Sequence, residues 1–190
     1  MEKVKFGPQL LVNVFPTVLV GVNVDNKPTF MALSWVGIAN GEPPMVSIAV
    51  RHRRYTYVGI RQNMTFSLNV PTTEIIKETD YCGLVSGFKV NKVEKCKFNV
   101  FYGILGNAPL IEQCPVNLEC KARHIISLES HALIIGSVEE TYVAENCITD
   151  GKPDTRKLSC FGYTKDPFPQ YLSVGQYIAN AISIGRDLAT

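Results

Sequence analysis

The chain has one tryptophan and three histidines in 190 residues, and its net charge is only +2. Each scarcity removes a class of protein. A surface that tracks nucleic-acid phosphates needs a strongly basic face, so the charge balance predicts no nucleic-acid partner. The six cysteines form no CxxC pair, and no Cys/His group has zinc-finger spacing, so no structural metal site is expected. No run approaches 18 uninterrupted apolar residues, which predicts no membrane span. The start, MEKVKFGPQLL, lacks an apolar core followed by a small-residue cleavage site, so export is not expected. The scattered cysteines then fit a cytoplasmic protein whose thiols stay reduced and partly buried. There is no GxGxxG, no GxxxxGK[ST] and no GxSxG. Carboxylates such as Asp80 and Glu119 occur singly, so no acid–base pair is in view.

What is present is a well-fed core. Apolar residues make up 46% and charged residues 19%, ordinary for one packed domain of residues 1–190. The first half reads as strands. Val18–Val24 is β-branched and ends in the turn Asp25-Asn26-Lys27, and Thr29–Val36 resumes the extended pattern, which predicts a hairpin. Pro43-Pro44 stops the chain before an apolar strand, Met45–Val50. Thr65–Val70 is a fourth strand, closed by Pro71. Between these last two, Thr56–Asn63 has helical spacing, with Thr56 expected as its N-cap. Thr73–Tyr81 reads as a second short helix, and residues 82–115 as a loop-rich crossing segment. Strands return at Leu118–His124 and His131–Val143, residues Cys147–Asp166 are turn-rich, and Ser173–Ile182 predicts a terminal helix. Strands with a few short helices and no regular β-α alternation point to a closed antiparallel barrel, mainly β.

Two segments could carry chemistry. Arg51-His52-Arg53-Arg54-Tyr55-Thr56 puts three guanidinium groups beside a helix N-terminus. Arginine offers forked donors, and first-turn amides add more, which suits a phosphate monoester. Taken alone, the same run also reads as a solvated basic loop. Ser86-Gly87-Phe88-Lys89-Val90-Asn91-Lys92 is a second basic segment, with donors at Ser86 and Gly87 and charge at Lys89 and Lys92. It too reads either as part of an anion site or as an ordinary loop. Trp35, at the end of the second strand, fits core or cofactor wall. His131, at the start of a long strand, fits a structural hydrogen bond or a ligand contact.

With these residues in view, the sequence resembles the flavin reductase-like FMN-binding family, and within it the flavoredoxin branch. The similar stretches are FPTVLVGVNVDNKPTFMALSWVGIANGEPPMVSIAVRHRRYTYVGI, FSLNVP, DYCGLVSGFKVNK, APLIEQCPVNLEC, ESHALIIGSV and YLSVGQYIANAISIG, in that order along nearly the whole chain. The resemblance implies a split β-barrel that holds FMN noncovalently, as a homodimer with the flavin near the subunit interface. It implies that Met31, Ala32, Leu33, Ser34 and Trp35 line the isoalloxazine. Arg51, Arg54, Tyr55 and Thr56 would hold the phosphate and ribityl chain, and Ser86, Gly87, Lys89 and Lys92 would complete the anion site. His131 corresponds to a histidine that some relatives use near the nicotinamide path, although Ala132 follows it where those relatives commonly have Asp or Thr. Cys82 lies within a similar motif and suits packing or a place near the flavin. No side chain is implied as a general acid or base, since the chemistry is the cofactor's. The implied role is an electron carrier between protein partners. The alternatives are an NAD(P)H-dependent flavin or ferric reductase, or a protein that holds FMN without turnover.

Overall fold

A computed structural model gives the fold, and it describes residues 1–174, 176–179, 181, 182 and 184. The first half holds β1 (Phe15–Pro16), β2 (Val18–Val24), β3 (Lys27–Leu33), β4 (Val36–Asn40), β5 (Met45–Arg51), α1 (Tyr55–Asn63) and β6 (Thr65–Val70). Then come α2 (Ile76–Leu84), α3 (Lys92–Cys96), the short strands β7 (Val100–Phe101) and β8 (Leu110–Ile111), and the long β9 (Val116–Ser127) and β10 (His131–Val143). The described chain ends with β11 (Ile148–Thr149), β12 (Lys152–Pro153), β13 (Phe161–Thr164) and β14 (Gln170–Ser173).

Seven strands form one antiparallel sheet in the order β3-β2-β6-β9-β10-β5-β4. Its two edge strands, β3 and β4, are consecutive in sequence and joined by Ser34-Trp35 alone. Three residue steps span at most about 11 Å, so the sheet must curl until its edges nearly meet. β3 and β4 do not pair. The result is a barrel with a split, and Ser34-Trp35 bridges it. The strand expected over Thr29–Val36 is therefore two strands. Its break lies at this crossing, where Ala49 N–H donates to Trp35 O at 3.0 Å.

Local chemistry explains several elements directly. Asp25 and Asn26 both take left-handed backbone angles (φ 49° and 61°), the two-residue turn whose twist suits a hairpin, and register runs from Val24↔Lys27 to Val18↔Leu33. Val18, Val20, Val22 and Val24 alternate into the barrel, where they pack with Ile48, Val50, Phe66, Leu68 and Ile134. α1 adds Ile60 to this core. Its close approach needs Gly59, because a Cβ there would sit 2.6 Å from Asn23 O and from a Val22 methyl. The opposite face of β2 and β3 supplies Leu19 and Phe30 to a second core with Cys82, Cys96, Phe98, Ile111 and Cys114. α2 and α3 cover that face.

Three expectations are corrected. The N-cap of α1 is Arg54, and Thr56 lies buried inside the first turn, because the chain leaves β5 through a tight turn (Arg54 N–H to Arg51 O, 3.0 Å) that starts the helix earlier. The loop-rich segment 82–115 contains the helix α3, capped by Asn91 through Glu94 N–H. The terminal helix expected over Ser173–Ile182 falls partly on residues 175 and 180, outside the described residues. Within the described part, Ser173 closes β14, which joins β13 and β1 in a three-stranded sheet, and residues 174 and 176–179 are not helical.

Candidate functional site

The site begins at the C-terminal end of α2. The last carbonyls of a helix have no intrahelical partner and sit at the negative end of its dipole. Val85 N–H takes Tyr81 O, Lys92 Nζ donates to Cys82 O at 2.8 Å, and Arg54 Nη1 donates to Gly83 O at 3.3 Å. Two cations from two separate segments are thus drawn to one helix end. Lys92 makes a second bond, to Phe30 O at 2.9 Å. β3 is an edge strand there, so this carbonyl has no strand beyond it to serve.

Lys92 is only 4% exposed, a buried charge held by two orphan carbonyls. Burial lowers its pKa, and the neighbouring Arg54 lowers it further. An ammonium has three N–H donors, so one remains beyond these two bonds. Arg54 likewise has its pKa lowered, by desolvation first and then by Arg51 and Arg53.

Arg54 is also the N-cap of α1, so the N-terminus of that helix lies at the same place. No side chain caps it, and its first residues, Tyr55 and Thr56, line a small cleft with Arg54. Met31 also lines it, as do Ser86 and Gly87 from the second basic segment. Lys92 also lines this cleft. The two basic segments, thirty residues apart in sequence, therefore meet at one place. Gly87 is required at the wall, since a Cβ would come 2.5 Å from the Tyr55 ring and 2.8 Å from Thr29 Oγ1. Thr29 and Val85 line the cleft as well, and neither carried a sequence signal. Lys89 lies in an adjoining cleft with Lys27.

The run Met31–Trp35 leads away from this cleft, along β3 as far as Leu33 and then into the bridge across the split. Met31 is buried, and Ala32 and Leu33 are half-buried against the two cores. At the far end Ser34 and Trp35 open on an apolar cleft with Leu10, Val12, Ala49 and Leu133. Trp35 is 41% exposed, so it is not a core residue. Its ring stacks on His131, with centroids 4.5 Å apart and planes 25° apart. His131 stands opposite Arg51 in the β10–β5 register, and its Nδ1 is hydrogen-bonded with Ser130 Oγ at 2.7 Å. Desolvation, then Arg51 and His52, lower the His131 pKa. Arg51 itself is exposed at the end of β5, between Arg54 and His131.

Cys82 and Cys96 are buried with their Sγ atoms 3.9 Å apart, inside the second core. Burial pushes both thiols up, which favours the neutral, unreactive form. Cys82 is thus a packing residue that lends its carbonyl to Lys92.

An antiparallel barrel split between β3 and β4, with a cation-lined cleft beside the start of α1, makes this a split-barrel domain. The chain belongs to the flavin reductase like domain family, whose model matches residues 13–153. It is similar to a flavoredoxin from Methanosarcina acetivorans, with TM-score 0.94 and 38% identity over 99% of this chain and 100% of that one. A flavoredoxin of Desulfovibrio vulgaris gives TM-score 0.89 and 30% identity, covering 97% of this chain and 100% of that one. An uncharacterized protein of Archaeoglobus fulgidus is 32% identical over 128 residues, 67% of this chain and 72% of that protein.

Proposed function

We propose that the chain is a flavoredoxin-type flavoprotein that holds FMN noncovalently and passes electrons through it. The observation that carries this reading is the meeting of Arg54, the uncapped α1 N-terminus, Ser86-Gly87 and buried Lys92 around one cleft. Donors surround that cleft, and a phosphate monoester is the anion that uses them all. Arg54, Tyr55, Thr56, Ser86, Gly87 and Lys92 would hold the phosphate, with Arg51 and Lys89 adding charge nearby. Met31, Ala32, Leu33, Ser34 and Trp35 would line the flavin ring. FMN, when bound, supplies both two-electron and one-electron chemistry.

The chain's own part is binding, orientation and exclusion of water. The helix end and the guanidinium would fix the anion, and the rigid edge strand β3 would offer its outer backbone edge, since its side chains alternate between the two cores. No general acid or base is assigned. The Trp35–His131 stack stands at the apolar end, where Trp35 lines the cleft. Its place beside that cleft favours a second reading, an NAD(P)H-dependent flavin reductase with His131 on the nicotinamide path.

The reading includes a homodimer. A second copy would cover the apolar side chains of the N-terminal segment (Val4, Phe6, Leu10, Leu11, Val12) and Ile38, 89% exposed on the edge strand β4. A cytoplasmic setting is supported by six free cysteines, five of them buried. Among the described residues, no helix is long and apolar enough to cross a membrane.

The test is flavin binding by the purified chain. Bound FMN gives a visible flavin spectrum, and replacing Arg51 and Arg54 together with Ala weakens FMN about 100-fold while changing riboflavin less than about threefold. A chain that stays colourless with added FMN, or equal losses for both ligands, overturns the assignment. Steady oxidation of NADH or NADPH selects the reductase reading, and flavin reduced only by a partner protein selects the carrier.

A further inference from the structure

A surface cavity of about 370 Å³ has Phe101, Glu112, Asn117 and Tyr142 among its walls. None of its lining residues belongs to the flavin site proposed above. The rings of Phe101 and Tyr142 stand nearly perpendicular, with centroids 5.8 Å apart and planes 84° apart, and so form a corner. The Tyr142 hydroxyl donates to Glu119 Oε2 at 3.1 Å, and Leu105 N–H donates to Glu119 Oε1 at 3.1 Å. Glu119 is fully buried, and both of these partners are neutral. Desolvation, then Glu119 and Glu140, raise the Tyr142 pKa, which keeps its hydroxyl a donor. Among the described residues the ion pairs join Lys121 and Arg123 to Glu139, and Arg156 to Asp154. Glu112, Glu119 and Glu140 therefore have no cation of their own. Asn117 is 4% exposed, and its Nδ2 donates to Asn69 Oδ1 (2.8 Å) and to Ile111 O (3.0 Å). Both amide hydrogens are thus committed, while Asn117 Oδ1 accepts nothing. Among the described residues only Thr17 Oγ1 is a wholly buried side-chain oxygen without a partner. Asn117 Oδ1 therefore keeps accessible surface, and the cavity is the opening that Asn117 lines.

Aromatic walls, carboxylates without cations and a free amide oxygen together select a positive ligand. A metal ion fits poorly, because no group of three or more His, Cys, Asp or Glu among the described residues is placed to hold one. We propose that the cavity binds a small free amine in its protonated form, a primary alkylammonium ion. Its N–H groups donate to Glu112 and to Asn117 Oδ1, the third stays with water, and its alkyl chain lies against Phe101 and Tyr142. The hydrogen bond to Glu119 enriches the Tyr142 ring in electrons, which strengthens its attraction for a cation. The site stands apart from the flavin reading and does not depend on it.

The experiment is an NMR titration of the purified full chain at neutral pH and constant ionic strength. The probes are n-butylammonium, its uncharged isostere 1-pentanol, and tetramethylammonium, which carries the charge without an N–H. Butylammonium is expected to move the ring signals of Phe101 and Tyr142 in a saturable way, with a dissociation constant on the order of 1–10 mM, while Trp35 stays still. 1-Pentanol binds at least about tenfold more weakly, and tetramethylammonium no more tightly than butylammonium. Phe101→Leu keeps an apolar side chain without the π face and weakens butylammonium about fivefold. Glu112→Gln weakens it about threefold. Glu112 is exposed, so that variant keeps the test alive if Phe101→Leu does not fold, and an unchanged melting temperature shows that each is intact. Equal binding of 1-pentanol overturns the proposal by making the cavity merely apolar. Tighter binding of tetramethylammonium overturns the N–H contacts, and the absence of saturation by about 50 mM butylammonium overturns the site altogether.

Discussion

Lys92→Met removes the ammonium while keeping most of the side chain's length and its apolar stem. In the native protein that ammonium serves Phe30 O at the sheet edge and Cys82 O at the end of α2, and neither carbonyl has a partner within its own element. Methionine leaves both buried and unpaired. Each orphaned acceptor costs about 1–3 kcal/mol, a gross loss of about 2–6 kcal/mol. Against this stands the relief of desolvating a charge, and the lowered Lys92 pKa shows that burial does penalise the charged form. The net expectation is a loss of about 2–4 kcal/mol. In a chain of this size that corresponds to a fall in Tm of about 5–15 °C. Urea unfolding followed by tryptophan fluorescence and a calorimetric scan measure both, with Trp35 as the single reporter. FMN affinity falls as well, because the cleft floor loses its charge. A Lys92→Met protein as stable as the parent would refute the carbonyl argument and mean that the ammonium merely breaks even. Unchanged stability with weakened FMN would place Lys92 in the site without a part in the fold.

Two further outcomes follow from titratable groups. The His131 pKa is lowered chiefly by desolvation, so the unfolded chain binds its proton more readily than the folded one. Its contribution to stability is therefore complete above the ordinary histidine value of about 6.5 and declines as pH falls through the lower folded value. An NMR titration of the His131 ring should give a midpoint below 6.5, and a midpoint above it would contradict the stack against Trp35 beside Arg51. Burial also pushes Cys114 up to about 12 and raises Cys82, Cys96 and Cys120. A disulfide dye at pH 8 should label half-exposed Cys160 promptly in the native protein and reach the other five only on unfolding. Rapid labelling of Cys82 would show that the α2–α3 face opens easily.

The split-barrel fold was legible in the sequence wherever short-range chemistry dictates it. Thr65–Val70 and His131–Val143 form strands at the expected bounds, because β-branched runs and a flanking proline define them locally. Asp25-Asn26 makes its hairpin because those two residues tolerate left-handed backbone angles. The basic run before α1 was visible for a similar reason, as arginines crowd a helix start. Where the helix begins was less so, since Arg54 takes the N-cap through a turn off β5 and Thr56 is drawn inside. The three-stranded sheet of β1, β13 and β14 was missed because its register joins Phe15 to Tyr163, a pairing with no local signal.

Residue types alone thus determined that this chain builds a β-rich domain and carries two cationic segments. They left open whether those segments were solvated loops, since a guanidinium or ammonium looks the same in sequence whatever it faces. Tertiary structure decided that by curling the sheet and laying α2 and α3 across its edge. This brought the orphan carbonyls of Phe30 and Cys82 to Lys92, and Gly83 O to Arg54, and turned both cations toward one helix end. Stacking Trp35 on His131 was decided in the same way, by the β10–β5 register and the two-residue bridge across the split. A buried charge needs partners from elsewhere in the chain, and only the folded sheet brings them within reach.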